Sequence, residues 1–101
     1  MIARLWHGIT PKEKTEAYLQ LLNRTGVPDL RATPGNRGVY VMHHIEGELT
    51  HFILISLWDS EEAIRRFAGE DVTRARYYPE DHDFLLELEP TVTHYQVDVA
   101  G

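Results

Sequence analysis

The stretch THFILISLW, residues 50–58, is apolar on both sides of a strand. Successive side chains on a strand point to opposite faces. Phe52 and Leu54 therefore face one way, and Ile53, Ile55 and Leu57 the other. In VYVMHHI, Val39 and Val41 likewise oppose Tyr40 and Met42. Strands that are apolar on both faces are buried on both faces. Only Glu46-Gly47-Glu48 separates the two runs, so they read as a hairpin. A two-residue and a three-residue loop both fit Gly47, and the choice decides which histidines share a face.

The remaining segments supply few elements to cover that sheet. Ile2–Ile9 reads as a strand carrying Trp6 and His7. Residues 11–25 read as a helix, with Thr10 as cap, Pro11 in the first turn and Glu13 completing a capping box. Ala17, Tyr18, Leu21 and Leu22 form its apolar stripe, and Gly26 with Pro28 marks its stop. VPDLRATPGNRG has loop composition. DSEEAIRRFAG is a second helix, capped by Ser60, ended by Gly69 and striped by Ala63, Ile64, Phe67 and Ala68. EDVTRARYY reads as a short helical turn before Pro79, FLLELEP fits helix or strand, and TVTHYQVDV is the last strand. The order β-α-β-β-α-β is the ferredoxin-like α+β arrangement, a four-stranded antiparallel sheet in one domain over residues 1–101. Two helices cover one face of such a sheet. The economical cover for the other is a second copy, giving a homodimer packed through the open face.

Charge and cysteine content narrow the function classes. The net charge of −6 disfavours nucleic acid as a partner. Arg65–Arg66 is preceded by glutamates and reads as a solvated helix face. With no cysteine, disulfides, zinc–thiolate sites and thiol catalysis are excluded. A reducing compartment is compatible with this, and a cytoplasmic location is the expectation. MIARLWHGIT lacks the apolar run of a signal peptide, and no segment has the length and apolarity of a membrane span.

LWDSEEAIRRFAGEDV, then YYPED, with a closing HYQV, resembles the antibiotic biosynthesis monooxygenase-like domain of the dimeric α+β barrel superfamily. The resemblance covers nearly the whole chain. It implies a pocket within each subunit, between the sheet and its helices. It also implies one of three roles: cofactor-independent oxygenation of phenolic or quinol-like aromatics, haem degradation, or no catalysis. Trp58 matches the tryptophan that ends the third strand of the haem-degrading branch. Phe67 stands where that branch has a second tryptophan, and Tyr77 where it has its haem-ligating histidine. Its polar first-strand residue aligns near Trp6 or His7, and neither is an asparagine. No haem and no other cofactor is therefore expected.

Six histidines raise the question of a metal, but no segment has a recognised ligand spacing, and no metal is expected. His43 and His44 are adjacent and point apart on a strand, and His51 could join one of them across the hairpin. A cofactor-free oxygenase must bind an electron-rich aromatic, remove its phenolic proton and shield the anion from water. A histidine can take that proton. His7 is the leading candidate base and His44 the second, with Tyr77 as hydrogen-bond donor to the substrate oxygen. Trp6, Trp58, Phe67 and Tyr78 are expected to form the substrate-binding wall, with plain core packing as the alternative for the first three. In RARYYPEDHDF, His82 and its flanking acids are expected to face solvent. The competing function is a non-catalytic dimeric module that binds a small ligand or a partner.

Overall fold

The computed structural model describes residues Met1–Gly101. Four antiparallel strands form one sheet: β1 (Ile2–Pro11), β2 (Asn36–Glu46), β3 (Leu49–Trp58) and β4 (Thr93–Gln96), in the order β2-β3-β1-β4. Helices α1 (Thr15–Arg24), α2 (Gly26–Ala32) and α3 (Glu61–Ala68) connect them. This is the ferredoxin-like α+β arrangement expected from the order of elements. The hairpin closes with a two-residue turn, because Glu46 pairs with Leu49. Gly47 takes the first turn position at φ 62°, where primed hairpin turns favour glycine.

Several local expectations are corrected. Thr10 does not cap a helix; β1 runs through Pro11, and the Thr10 hydroxyl donates to the Pro11 carbonyl at 3.1 Å. A residue before proline is held extended, which keeps Thr10 in the strand. A 3-10 turn, Lys12–Lys14, intervenes before α1. Gly26 does not end the helical region. The chain breaks at Thr25, with φ −118° and ψ −87°, and restarts as α2. Pro28 sits in the first turn of α2, where its missing N–H costs nothing. The segment expected to be a loop thus sends Val27 and Leu30 into the core. No helix forms over residues 70–78. The helical turn lies instead at Pro79–Asp83, and FLLELEP is neither helix nor strand.

One sheet face packs on the helices. Trp6, Phe52, Leu54 and Trp58 meet Tyr18, Leu21, Ile64 and Phe67 there. Ser60 caps α3 by accepting from the Ala63 amide, as its sequence position implied. The other face carries Ile53, Ile55 and Leu57 half-buried, with Tyr40, Met42 and Tyr95 exposed. No helix is long and apolar enough to cross a membrane.

Candidate functional site

A cleft of about 430 Å³, counted to its open mouth, lies between the inner sheet face and the helices. The enclosed free space within it is about 40 Å³, below the usual range of small-molecule sites, so a ring-sized ligand requires the wall to open. Alternation on β1 sends Arg4 and Trp6 to its floor. Leu54 joins them from β3, Tyr18 from α1, Gly26 and Leu30 from α2, and Phe67 from α3. Arg76, Tyr77, Tyr78 and Asp81 close the remaining side.

Trp6 is laid flat by its neighbour. A Cβ on Gly8 would clash with the indole, so only glycine leaves the ring this path. The Trp6 Nε1–H then donates to the Tyr77 hydroxyl at 3.2 Å, and Tyr77 donates to the Glu89 carbonyl at 2.5 Å. Tyr18 donates to Asp81 Oδ1 at 3.0 Å, and the Tyr78 amide donates to Asp81 Oδ2 at 2.7 Å. Tyr78 donates to Asp29 at 2.5 Å. Burial raises the Tyr18 and Tyr77 hydroxyls above the ordinary phenol range, and Tyr78 likewise, with help from Asp29. Burial also raises Asp81, against the pull of the two hydrogen bonds it accepts.

Two guanidiniums flank the Phe67 ring, Arg76 at 4.7 Å from its centroid and Arg4 at 5.5 Å. They differ in partners. Arg76 pairs with Asp29 at 3.6 Å and donates to the Phe67 carbonyl at 3.2 Å. Arg4 is only 4% exposed, donates from Nη2 to the Arg74 carbonyl at 2.8 Å, and leaves Nε without a partner. No carboxylate bridges to it. Burial lowers its pKa to about 10, which still leaves it charged at neutral pH.

Of the residues singled out from sequence, Trp6, Phe67, Tyr77 and Tyr78 line the cleft together. Trp58 does not. It is fully buried in the core, bonded to the Ser56 hydroxyl at 2.8 Å and tilted against Phe67. His7 and His44 do not reach the cleft either. His7 follows Trp6 on β1 and so faces outward, opposite Ile53, while His44 pairs with His51 on the same outer face. There His7 meets Glu89 through Nδ1 at 2.5 Å and His51 through Nε2 at 2.9 Å, and His44 stacks on His51 with centroids 5.0 Å apart. These side chains occupy one another, and no group of three or more converges as a metal site. His82 is exposed as expected, but Asp81 is buried at 4% exposure, since both its oxygens serve Tyr18 and Tyr78. Arg4, Tyr18, Arg76 and Asp81 were missed. Arg4 was legible, because it shares the strand parity of Trp6.

Sheet order, helix placement and an intramolecular cleft define a ferredoxin-like α+β domain with a cleft on its helical face. Residues 5–75 match the antibiotic biosynthesis monooxygenase family, and the chain belongs to it. No sequence match was found among curated proteins. A crystal structure of a MhuD mutant with two manganese protoporphyrin IX bound per active site is similar in fold. It aligns at TM-score 0.61 and 18% identity over 100% of each chain. The cleft of the present chain is poor in ligands for a porphyrin iron. It offers no histidine, and its three phenols are hydrogen-bonded and held protonated. A phenolate ligand would have to lose that proton. The donor set does not fit haem iron.

Proposed function

We propose that this chain binds a small phenolic or quinol-like aromatic in the cleft and oxygenates it without an added cofactor. The observation that carries this reading is the cleft wall. Trp6, Tyr18, Phe67, Tyr77 and Tyr78 form that wall, with hydroxyl groups among apolar faces. Flat rings suit such a wall, and the hydroxyls fix orientation. In this reading a substrate carbon next to the ionised ring gives electrons to dioxygen and forms a carbon–oxygen bond. The O–O bond then breaks; one oxygen stays as a carbonyl and the other leaves as water with the two hydrogens of that carbon. The chain's share is to bind, to take the phenolic proton and to exclude water. Asp81, the carboxylate lining the cleft, takes the base role that sequence assigned to histidine. Its burial-raised pKa suits that work. Tyr77, whose proton goes to the Glu89 carbonyl, serves as wall against the ring.

A homodimer through the outer sheet face belongs to the same proposal, supported by the half-buried Ile53, Ile55 and Leu57 and the exposed Tyr40 and Met42. Sedimentation at micromolar concentration tests it, and a stable monomer would reject it.

Oxygen uptake with hydroquinones and anthrone-like phenols, without flavin or metal, tests the activity. Asp81→Asn should lower the rate on the order of a hundredfold. His7→Ala should keep it. The opposite pattern would move the base to the outer face. A second reading, ligand binding without catalysis, is favoured by one observation: both Asp81 oxygens already accept hydrogen bonds. Binding of the panel without oxygen uptake would select it.

A further inference from the structure

The polar groups of the cleft are satisfied with one exception. Tyr18, Tyr77 and Tyr78 each have an acceptor, Asp81 has two donors, and Arg76 has Asp29. Arg4 has no anion. It is nine-tenths buried and more, it lines the cleft, and its Nε has no hydrogen-bond partner. A buried charge is ordinarily paired, because leaving water costs far more than a neutral group's burial does. The Arg74 carbonyl and the Phe67 ring hold the guanidinium in place without neutralising it. Its neighbours bring no anion to it. Arg76, at the same ring, is paired with Asp29, and His94, opposite Arg4 across β1 and β4, is held neutral by burial and by Arg4 itself. The His94 Nε2 is also buried and unpartnered.

We propose that Arg4 is the counter-charge of the ligand, so that the cleft takes an aromatic bearing an anionic group, a carboxylate or an acidic phenol, seated against its guanidinium. This deepens the reading of the cleft and rests on its being the ligand site. The ring packs among Trp6, Phe67 and Tyr77, and the anion completes the hydrogen bonding of a planar donor suited to oxyanions. Arg4 is thereby a specificity residue. In the oxygenation reading it also favours the ionised substrate over the neutral one.

The test is calorimetric titration at neutral pH with a matched pair, 1-hydroxy-2-naphthoate and 1-hydroxy-2-naphthamide. The acid should bind the wild type at least roughly tenfold tighter than the amide, the scale of one hydrogen bond to a charged group. Arg4→Gln should remove most of that preference, weakening the acid more than the amide. Arg4→Lys should retain part of it. Should Arg4→Gln fail to fold, by circular dichroism, the wild-type ratio and the Arg4→Lys ratio decide. Equal affinities in the wild type, a preference that survives loss of the charge, or no binding of either compound would each overturn the proposal. Oxygen uptake separates the two claims. Uptake on neutral quinols with no charge preference leaves the oxygenase reading and removes this one. A charge preference with no uptake does the reverse.

Discussion

The two faces of the sheet treat their ionisable side chains in opposite ways. On the outer face His7, His51 and Glu89 hydrogen-bond in a chain, and His44 stacks on its end. On the inner face Arg4 is buried at the wall of the cleft without an anion. Histidines attract attention in a sequence because they titrate near neutral pH. Here His7, His44 and His51 are closed on one another, and the incomplete charged group is an arginine that no motif marks. Chemical availability is set by which groups lack partners, and partners are a property of the face.

The largest contrast is expected from adjacent residues on opposite faces. Phe52→Asp places a charge where exposure is 0% and should unfold the chain, at a cost of several kcal/mol or more. Ile53→Asp points outward and should leave the inner core intact while abolishing the proposed self-association. Thermal melts and sedimentation on both variants check this. If Ile53→Asp unfolds the chain as completely as Phe52→Asp, the faces are energetically equivalent and the comparison fails.

Alkaline pH should strike the inner face next. The unfolded Tyr18 ionises near its ordinary value of 10.0, while the folded one holds its proton well above it. Stability from Tyr18 is thus complete below pH 10 and lost above it, at about 1.4 kcal/mol per pH unit. Tyr77 and Tyr78 act in the same direction. Arg4 opposes them, since its lowered pKa of about 10 lets the folded state release a proton first. Three tyrosines against one arginine leave a net loss. Urea titrations at pH 9 and above should show stability falling, and absorbance at tyrosinate wavelengths should rise with unfolding. Tyr18→Phe should flatten the slope, and an unchanged slope would remove Tyr18 from the account.

A smaller effect is expected from Gly8→Ala. The added carbon meets Trp6 on the inner face, costing about 1–3 kcal/mol. The indole should leave Tyr77, visible as a shift in Trp6 emission and weaker ligand binding. Ala3→Gly, on the same strand but facing outward, should leave Trp6 emission unchanged. Equal spectra for Gly8→Ala and the parent would mean that the ring is not held by that glycine.

The sequence by itself determined the architecture. Doubly apolar runs at residues 39–42 and 52–57, the Gly47 turn and the Ser60 cap are local signals, and each acts through the backbone period or a turn conformation. It also determined more of the site than a search for reactive residue types extracts. Trp6 and His7 are neighbours on a strand, so alternation alone forbids both from one cleft, and it assigns Arg4 to the side of Trp6. Only the tertiary structure decided the rest. Pro28 and Gly26 look like a helix stop, yet packing of Val27 and Leu30 makes a second helix there. The segment from Tyr77 to Glu89 has one short helical turn at Pro79–Asp83 and is otherwise irregular, so no period reports where its side chains point. Asp81 between Tyr18 and Tyr78, Glu89 beneath His7, and the solitude of Arg4 are all contacts across at least 63 residues or, for Arg4, the lack of one with any acid, apart from the local bond to Tyr78. Hydrogen-bond satisfaction is a sum over the whole fold, and no local pattern in a chain contains that sum.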